Sequence, residues 1–252
     1  MQRISDTMAE KLSAAVIIPA RYASTRFPAK PLAVIAGKPM IQHTWSQAVR
    51  SKADLVLVAT DHPAIRDAVT AFGGKAVMTR EDHPSGTDRI YEACRDLDCG
   101  IVNNVQGDEP LIPPEIIDRL IDLMTEHPEC EMATVAVPAG REILDDPNKV
   151  KVVMTGDGFA LYFSRAPIPF LRSGGTAAPA LLHWGIYAFR KTALERFVSF
   201  PASPLENCEK LEQLRALENG IRIRVLVCSL RSVGVDTPED LERAEKLIAS
   251  RS

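Results

Sequence analysis

The sequence predicts an α/β protein: a mixed, mostly parallel sheet with helices on both faces and a smaller antiparallel part built onto it. Two observations lead there. Short runs of strand character at 14–18, 54–60, 75–79 and 101–106 alternate with helical stretches at 63–72, 87–97 and 113–126, the pattern of parallel strands joined by crossover helices. After residue 130 the alternation stops, and two strand-like runs, 149–154 and 159–164, flank Asp157-Gly158, a hairpin signal.

The elements follow in order. Residues 14–18 are wholly apolar and read as a buried strand, which Pro19 ends. Residues 54–60 form a second buried strand, and 63–72 a helix that stops at Gly73-Gly74. A short third strand covers 75–79, a helix 87–97, and a fourth strand 101–106. Pro113-Pro114 opens a helix that runs to about Glu126. Further strands are expected at 132–137 and 183–189, around a Gly/Ala/Pro-rich loop at 171–180. Leu205, Cys208, Leu211, Leu214 and Leu217 lie on one stripe of a helix over 205–218, with Gly220 behind it. Residues 221–228 are a strand, and 238–248 a closing helix with Thr237 as N-cap.

Composition removes several functions. The chain has 252 residues, 46% hydrophobic and 25% charged, which suffices for one large domain. A net charge of −3 excludes a nucleic-acid binder that relies on a general basic surface. No apolar run is long enough to cross a bilayer, so membrane insertion is not expected. The polar stretch 1–13 has no signal-peptide core and reads as a flexible extension ahead of a single domain, 14–252. Cys94, Cys99, Cys130, Cys208 and Cys228 are odd in number and scattered, which suits reduced cytosolic thiols better than disulfides or zinc. The five histidines have no metal-ligand spacing either.

The chemistry concentrates on turns. After the first strand come Arg21, Arg26 and Lys30, with Ser24 and Thr25 between them. Three cations and two hydroxyls at the C-terminal edge of an open α/β sheet make an anion site suited to a polyphosphate. The loop is neither a Walker P-loop nor a dinucleotide fingerprint, so side chains supply the grip. The fourth strand ends in Gln106-Gly107-Asp108-Glu109, which puts Asp108 at the same edge as a candidate ligand for a divalent cation. Asp236 is open to two readings, a second metal ligand or part of the helix cap. The run 79–89 is open to two readings: Arg80, Ser85 and Gly86 line a nucleotide pocket, or Ser85 or Thr87 simply starts the next helix. No arrangement demands a covalent intermediate, and the set suits phosphoryl or nucleotidyl transfer.

Nine segments match one family in order and span almost the whole chain: VIIPARYASTRFPAKPL (16–32), VATDH (58–62), MTREDHPSGTDR (78–89), VQGDEPLIP (105–113), VKVVM (150–154), ALYFSRAPIP (160–169), HWGIYAFR (183–190), SPLENCEKLEQLR (203–215) and GVDTPEDLERA (234–244). The chain thereby resembles the 3-deoxy-manno-octulosonate (Kdo) cytidylyltransferases, also called CMP-Kdo synthetases. The resemblance implies a Rossmann-like fold of the nucleotide-diphospho-sugar transferase type. It implies Mg²⁺-dependent conversion of CTP and Kdo into CMP-Kdo and pyrophosphate, for lipopolysaccharide biosynthesis in the cytoplasm, by a homodimer. Arg21, Ser24 and Lys30 are then expected on the triphosphate, Arg80, Ser85 and Gln106 near the cytidine, and Asp108 and Asp236 on magnesium. Arg21, Lys30, Asp108 and Asp236 form the catalytic set. Arg165, His183, Tyr187, Glu212 and Gln213 would contact the acid sugar, with residues 150–200 as the sugar-binding and dimerisation part. Trp184 departs from the family, standing where an aliphatic residue is expected. N-acylneuraminate cytidylyltransferases resemble a first loop with Gly-Gly-Ser in place of Tyr22-Ala23-Ser24. A GT-A glycosyltransferase would need Asp-x-Asp after a strand, which 107–110 is not. A nucleotide sensor without turnover has no reason to keep both Asp108 and Asp236.

Overall fold

The computed structural model describes residues 13–23, 27–170, 172, 180–230, 232–235 and 237–250. Ser24, Asp236, most of the 1–13 extension and most of the loop 171–180 lie outside them. The elements are β1 (Ala14–Ala20), β2 (Val34–Ile35), β3 (Lys38–Pro39), α1 (Met40–Ala48), β4 (Leu55–Thr60), α2 (Pro63–Ala71), β5 (Lys75–Met78), α3 (Gly86–Cys94), β6 (Ile101–Asn104) and α4 (Pro114–Glu126). They continue with β7 (Met132–Ala139), β8 (Lys151–Met154), β9 (Ala160–Ser164), β10 (Ala180–Arg190), α5 (Lys191–Ser199), α6 (Pro204–Glu209), α7 (Gln213–Glu218), β11 (Ile223–Val227) and α8 (Pro238–Ala249).

The main sheet runs β11-β7-β10-β6-β1-β4-β5, and the β8–β9 hairpin is attached through β8 to β10. β6, β1, β4 and β5 are parallel, as are β7 and β11, while β10 runs antiparallel between β6 and β7. The expected mixed, mostly parallel sheet is therefore present, and the antiparallel part is continuous with it. Alternate residues of β1 serve opposite faces. Val16 and Ile18 join a core with α1, α2 and α4, whereas Ile17 joins a core with α3, α5 and α7. Burial on both faces is why this strand reads as an unbroken apolar run.

The strand order reverses between β1 and β6. β1 leads on to β4 on one side, while β6 pairs on the other. Such a switch point opens a crevice at the carboxyl ends of the strands. Here the β1–β6 ladder ends at the pair Ile17–Asn104, while β1–β4 continues to Ala20–Thr60.

Three expectations are corrected. Pro19 does not end β1, which continues to Ala20. The Ile17 carbonyl accepts from the Val105 N–H (3.3 Å), so the odd residues of β1 face β6. Pro19 faces that side beyond the end of the ladder, where its missing N–H removes no sheet bond. The helix over 205–218 is instead two short helices, α6 and α7, because Lys210 adopts a left-handed conformation (φ 53°) between them. Leu211 and Leu214 are buried as the stripe requires, but Leu205 is exposed. The helix over 87–97 stops at Cys94.

Candidate active site

The first strand's loop returns over the crevice in a fixed shape. Ala29 sits at φ 53° ahead of a 3-10 turn, Lys30–Leu32. The Ala29 N–H donates to the Tyr22 carbonyl (3.1 Å), and the Leu32 N–H to the Ala29 carbonyl (2.8 Å). Arg21 and Lys30 both line a cleft of about 320 Å³, together with Ser85, Gly86, Gln106 and Asp108. The Lys30 Nζ lies 2.8 Å from Asp108 Oδ2.

The acidic turn is fastened by its backbone. The Thr44 hydroxyl donates to the Gly107 carbonyl (3.1 Å), and the Val235 N–H to the Asp108 carbonyl (2.9 Å). A Cβ at residue 107 would stand 2.9 Å from the Pro19 carbonyl oxygen, so only glycine lets the turn approach β1 this closely. Val235 immediately precedes Asp236 in the chain, and its bond brings the 234–235 backbone to the acidic turn.

The third wall is the start of α3. Ser85 is the N-cap, and its hydroxyl oxygen accepts from the Thr87 and Asp88 N–H groups (3.1 and 3.2 Å). The same oxygen lies 2.6 Å from Asp88 Oδ2 and 2.7 Å from Glu212 Oε1. One hydroxyl proton serves only one of the two carboxyls. Burial raises the Glu212 carboxyl above its ordinary range, which favours its neutral form. Glu212 therefore meets the first cleft's wall and lines neither cleft.

Arg80 is not part of this wall. Its side chain is 65% exposed and points toward Asp82 and Glu92. Arg89 lines the cleft instead, buried against Asp61 (2.8 Å) and donating to the Arg80 carbonyl (3.1 Å). Asp61 also accepts the Tyr22 N–H (2.9 Å), and the Tyr22 ring stacks on His62 with centroids 3.8 Å apart. This buried pair joins the first loop to α3. A charged residue on a helix otherwise reads as solvated, so only its i,i+4 spacing from Ala93, which is buried, hinted at it.

A second cleft, about 600 Å³, lies across the acidic turn. Asp108 lines the first cleft and Glu109 the second. His183, Trp184, Tyr187 and Gln213 line this second cleft. The Tyr187 hydroxyl donates to Gln213 Oε1 (3.1 Å), and the Trp184 indole N–H to Glu109 Oε1 (3.0 Å). Burial pushes the Tyr187 phenol well above its usual value. Arg165 lines neither cleft. Its Nε donates to the Glu209 carbonyl (2.7 Å) and its Nη1 to the Pro147 carbonyl (2.9 Å).

The described geometry is thus a polyphosphate-sized basic and acidic cleft beside a second, partly aromatic one. Residues 15–223 match the model of the cytidylyltransferase family. A protein of Syntrophobacter fumaroxidans named 3-deoxy-manno-octulosonate cytidylyltransferase is 51% identical to this chain, covering 92% of it and 96% of the relative. One of Pseudomonas syringae pv. syringae with the same name is 49% identical, covering 92% and 97%. This chain belongs to the 3-deoxy-manno-octulosonate cytidylyltransferase family. A solved structure of CMP:2-keto-3-deoxy-manno-octonic acid synthetase complexed with CTP superposes with a TM-score of 0.92 at 44% identity, over 95% of this chain and 100% of that one. A cytidylyltransferase of this family needs a nucleotide site and an acceptor site side by side, and the two clefts share the turn 107–109. Among the described residues no helix is long and apolar enough to cross a membrane.

Proposed function

We propose that this chain transfers CMP from CTP to the anomeric hydroxyl of Kdo. The hydroxyl oxygen bonds to the α-phosphorus and gives its proton to solvent, the bond from that phosphorus to the bridging oxygen breaks, and pyrophosphate leaves with that electron pair. The observation that carries this reading is the acidic turn, whose consecutive carboxylates face two adjoining clefts. An in-line transfer needs such an arrangement, with the triphosphate on one side and the attacking hydroxyl on the other.

In this reading Arg21 and Lys30, with Ser24 of the same loop, hold the phosphates in the first cleft. Ser85 and Gln106 bound the nucleoside end, and Arg80 acts indirectly, its carbonyl holding Arg89, which lines that cleft. His183, Tyr187 and Gln213 meet the sugar in the second cleft. Glu212 acts through Ser85. Arg165 is the cation for the sugar carboxylate if its fork leaves the backbone carbonyls that it holds in this structure.

Mg²⁺ fits the acidic turn by donor chemistry. Asp108 offers hard carboxylate oxygens, and Val235, the residue before Asp236 in the chain, donates its N–H to the Asp108 carbonyl. Asp108 and Asp236 would hold the ion, which when bound neutralises charge on the phosphate oxygens. Among the described residues no group of three or more His, Cys, Asp or Glu stands in metal-binding array. Asp108, Asp236 and the substrate's own phosphates would supply the ligands.

The test is pyrophosphate release from CTP and Mg²⁺ with Kdo, with N-acetylneuraminate, or with no sugar. Release with Kdo alone is expected. Equal release with N-acetylneuraminate, or none with Kdo, overturns the reading.

A homodimer in the cytoplasm belongs to the same proposal, with 150–200 as the sugar-binding and dimerisation part of the single domain. It is supported by exposed apolar side chains on the edge hairpin and beyond it, Leu161 at 59% and Phe170 at 84%. Light scattering at micromolar concentration is expected to give twice the 27.6 kDa of one chain. A single species at the chain mass sinks the dimer.

A further inference from the structure

β10 does not pair evenly with β7. Trp184 pairs with Val135 and Tyr187 with Thr134, so Gly185 and Ile186 form a bulge between them. Bulges re-aim side chains, and this one lies between the three aromatic residues that line the second cleft. One side chain from the neighbouring strand pins it. Thr134 is fully buried, and its Oγ1 lies 2.8 Å from the Ile186 carbonyl, 3.4 Å from the Trp184 carbonyl and 3.0 Å from His183 Nε2.

Counting hydrogens settles the roles at this oxygen. The hydroxyl has one proton, and a carbonyl oxygen only accepts. The proton therefore goes to the Ile186 carbonyl, the shorter of the two. Nothing is left to donate to His183, so Nε2 must carry the hydrogen and donate to Oγ1. Among the described residues no group bonds to His183 Nδ1.

We infer that Thr134 is a positioning residue for the acceptor cleft: it pins the bulge and fixes His183 as the Nε2–H tautomer, leaving Nδ1 as a hydrogen-bond acceptor for a hydroxyl of a polyhydroxylated acid. This rests on reading the second cleft as the acceptor site. The surroundings agree. The His183 ring lies between Phe163 (centroids 4.8 Å apart) and Tyr187 (5.6 Å), and its own N–H on the backbone donates to the Val150 carbonyl (2.8 Å). The charged residues of the same cleft are Glu109, Glu142 and Lys149. Burial holds the imidazole down to about 3, so it is neutral at working pH. A neutral ring with one nitrogen committed is an acceptor that does not become a donor when the pH falls to 6.

Two measurements on the full chain test this. The first is a long-range ¹H–¹⁵N correlation spectrum of ring-labelled histidine, with His183 assigned from its absence in His183→Asn. Protonated Nε2 and bare Nδ1, unchanged from pH 8 to 5.5, are expected. An Nδ1–H tautomer, or a doubly protonated ring at pH 7, overturns the inference. The second compares Thr134→Val with Thr134→Ser. Val keeps the shape and loses the hydroxyl, so KM for Kdo should rise about tenfold, the worth of one ordinary hydrogen bond. KM for CTP should stay within a factor of about two, and Ser should restore most of the loss. An unchanged KM for Kdo in Thr134→Val, or equal rises in both KM values, overturns it. If Thr134→Val does not fold, the wild-type spectrum decides. If wild-type protein releases no pyrophosphate with Kdo, the reading of the cleft fails, and the spectrum still decides the tautomer and the pin.

Discussion

Asp108→Asn is expected to lower turnover by about a thousandfold, the upper range for removing one preorganised charge-stabilising group, and to leave the fold intact. The turn that carries the side chain does not depend on it. Thr44 holds the Gly107 carbonyl and Val235 the Asp108 carbonyl, both through the backbone of the turn. The carboxylate itself is 37% exposed, and its ion pair with Lys30 faces the cleft. A pair that open contributes at most about 1 kcal/mol to stability, so the melting temperature should move by only a few degrees. Asn keeps the size and one oxygen acceptor but loses the negative charge that a divalent cation requires. Pyrophosphate release in saturating Mg²⁺, beside a thermal melt, checks both halves. Activity within tenfold of wild type would remove Asp108 from the catalytic set.

The parts of the molecule that were legible in the sequence are those where one residue type has one physical use. The buried parallel strands β1 and β4 read correctly because burial on both faces demands unbroken apolar runs. The 107–109 turn lies where the end of the fourth strand suggested, at the carboxyl edge of the sheet beside the first loop, because the chain can turn this close to β1 only at a glycine. Helices α1 and α5 were not assigned. Their N-cap positions are Pro39 and Arg190, neither of which makes a side-chain cap bond, so no start signal marks them. The split of α6 from α7 was hidden because Lys210 in the left-handed region costs only about 1–2 kcal/mol, which tertiary packing overrides. In the site, Thr134 was invisible: one threonine in an apolar strand looks like any β-branched filler until its three partners are known. At Arg165 the partners of the side chain were the part hidden from the sequence. An arginine after an ordered strand suggests a ligand fork, yet its donors go to carbonyls of Pro147 and Glu209.

Lys30→Ala is expected to weaken CTP binding about ten- to hundredfold, the equivalent of one charged hydrogen bond of 1.5–3 kcal/mol, and to change CMP binding little. The reasoning starts from where the side chain is held. Lys30 opens the 3-10 turn Lys30–Leu32, and its side chain is only 14% exposed at the first cleft. The turn is fixed by backbone bonds among Tyr22, Ala29 and Leu32, so truncation at residue 30 leaves the loop's path in place. Nζ lies 2.8 Å from Asp108 Oδ2. In the proposed complex the lysine and the cation on Asp108 address the same group of phosphate oxygens. CMP has one phosphate and CTP has three, so a residue facing the outer two distinguishes the nucleotides. Calorimetric titration of each nucleotide into mutant and wild type, with and without Mg²⁺, measures the difference. Lys30→Arg keeps the charge and should recover part of the CTP affinity, which separates loss of charge from a collapsed loop. Equal losses for CTP and CMP would move Lys30 to the α-phosphate or the nucleoside end, and the division of the first cleft argued above would fall with it.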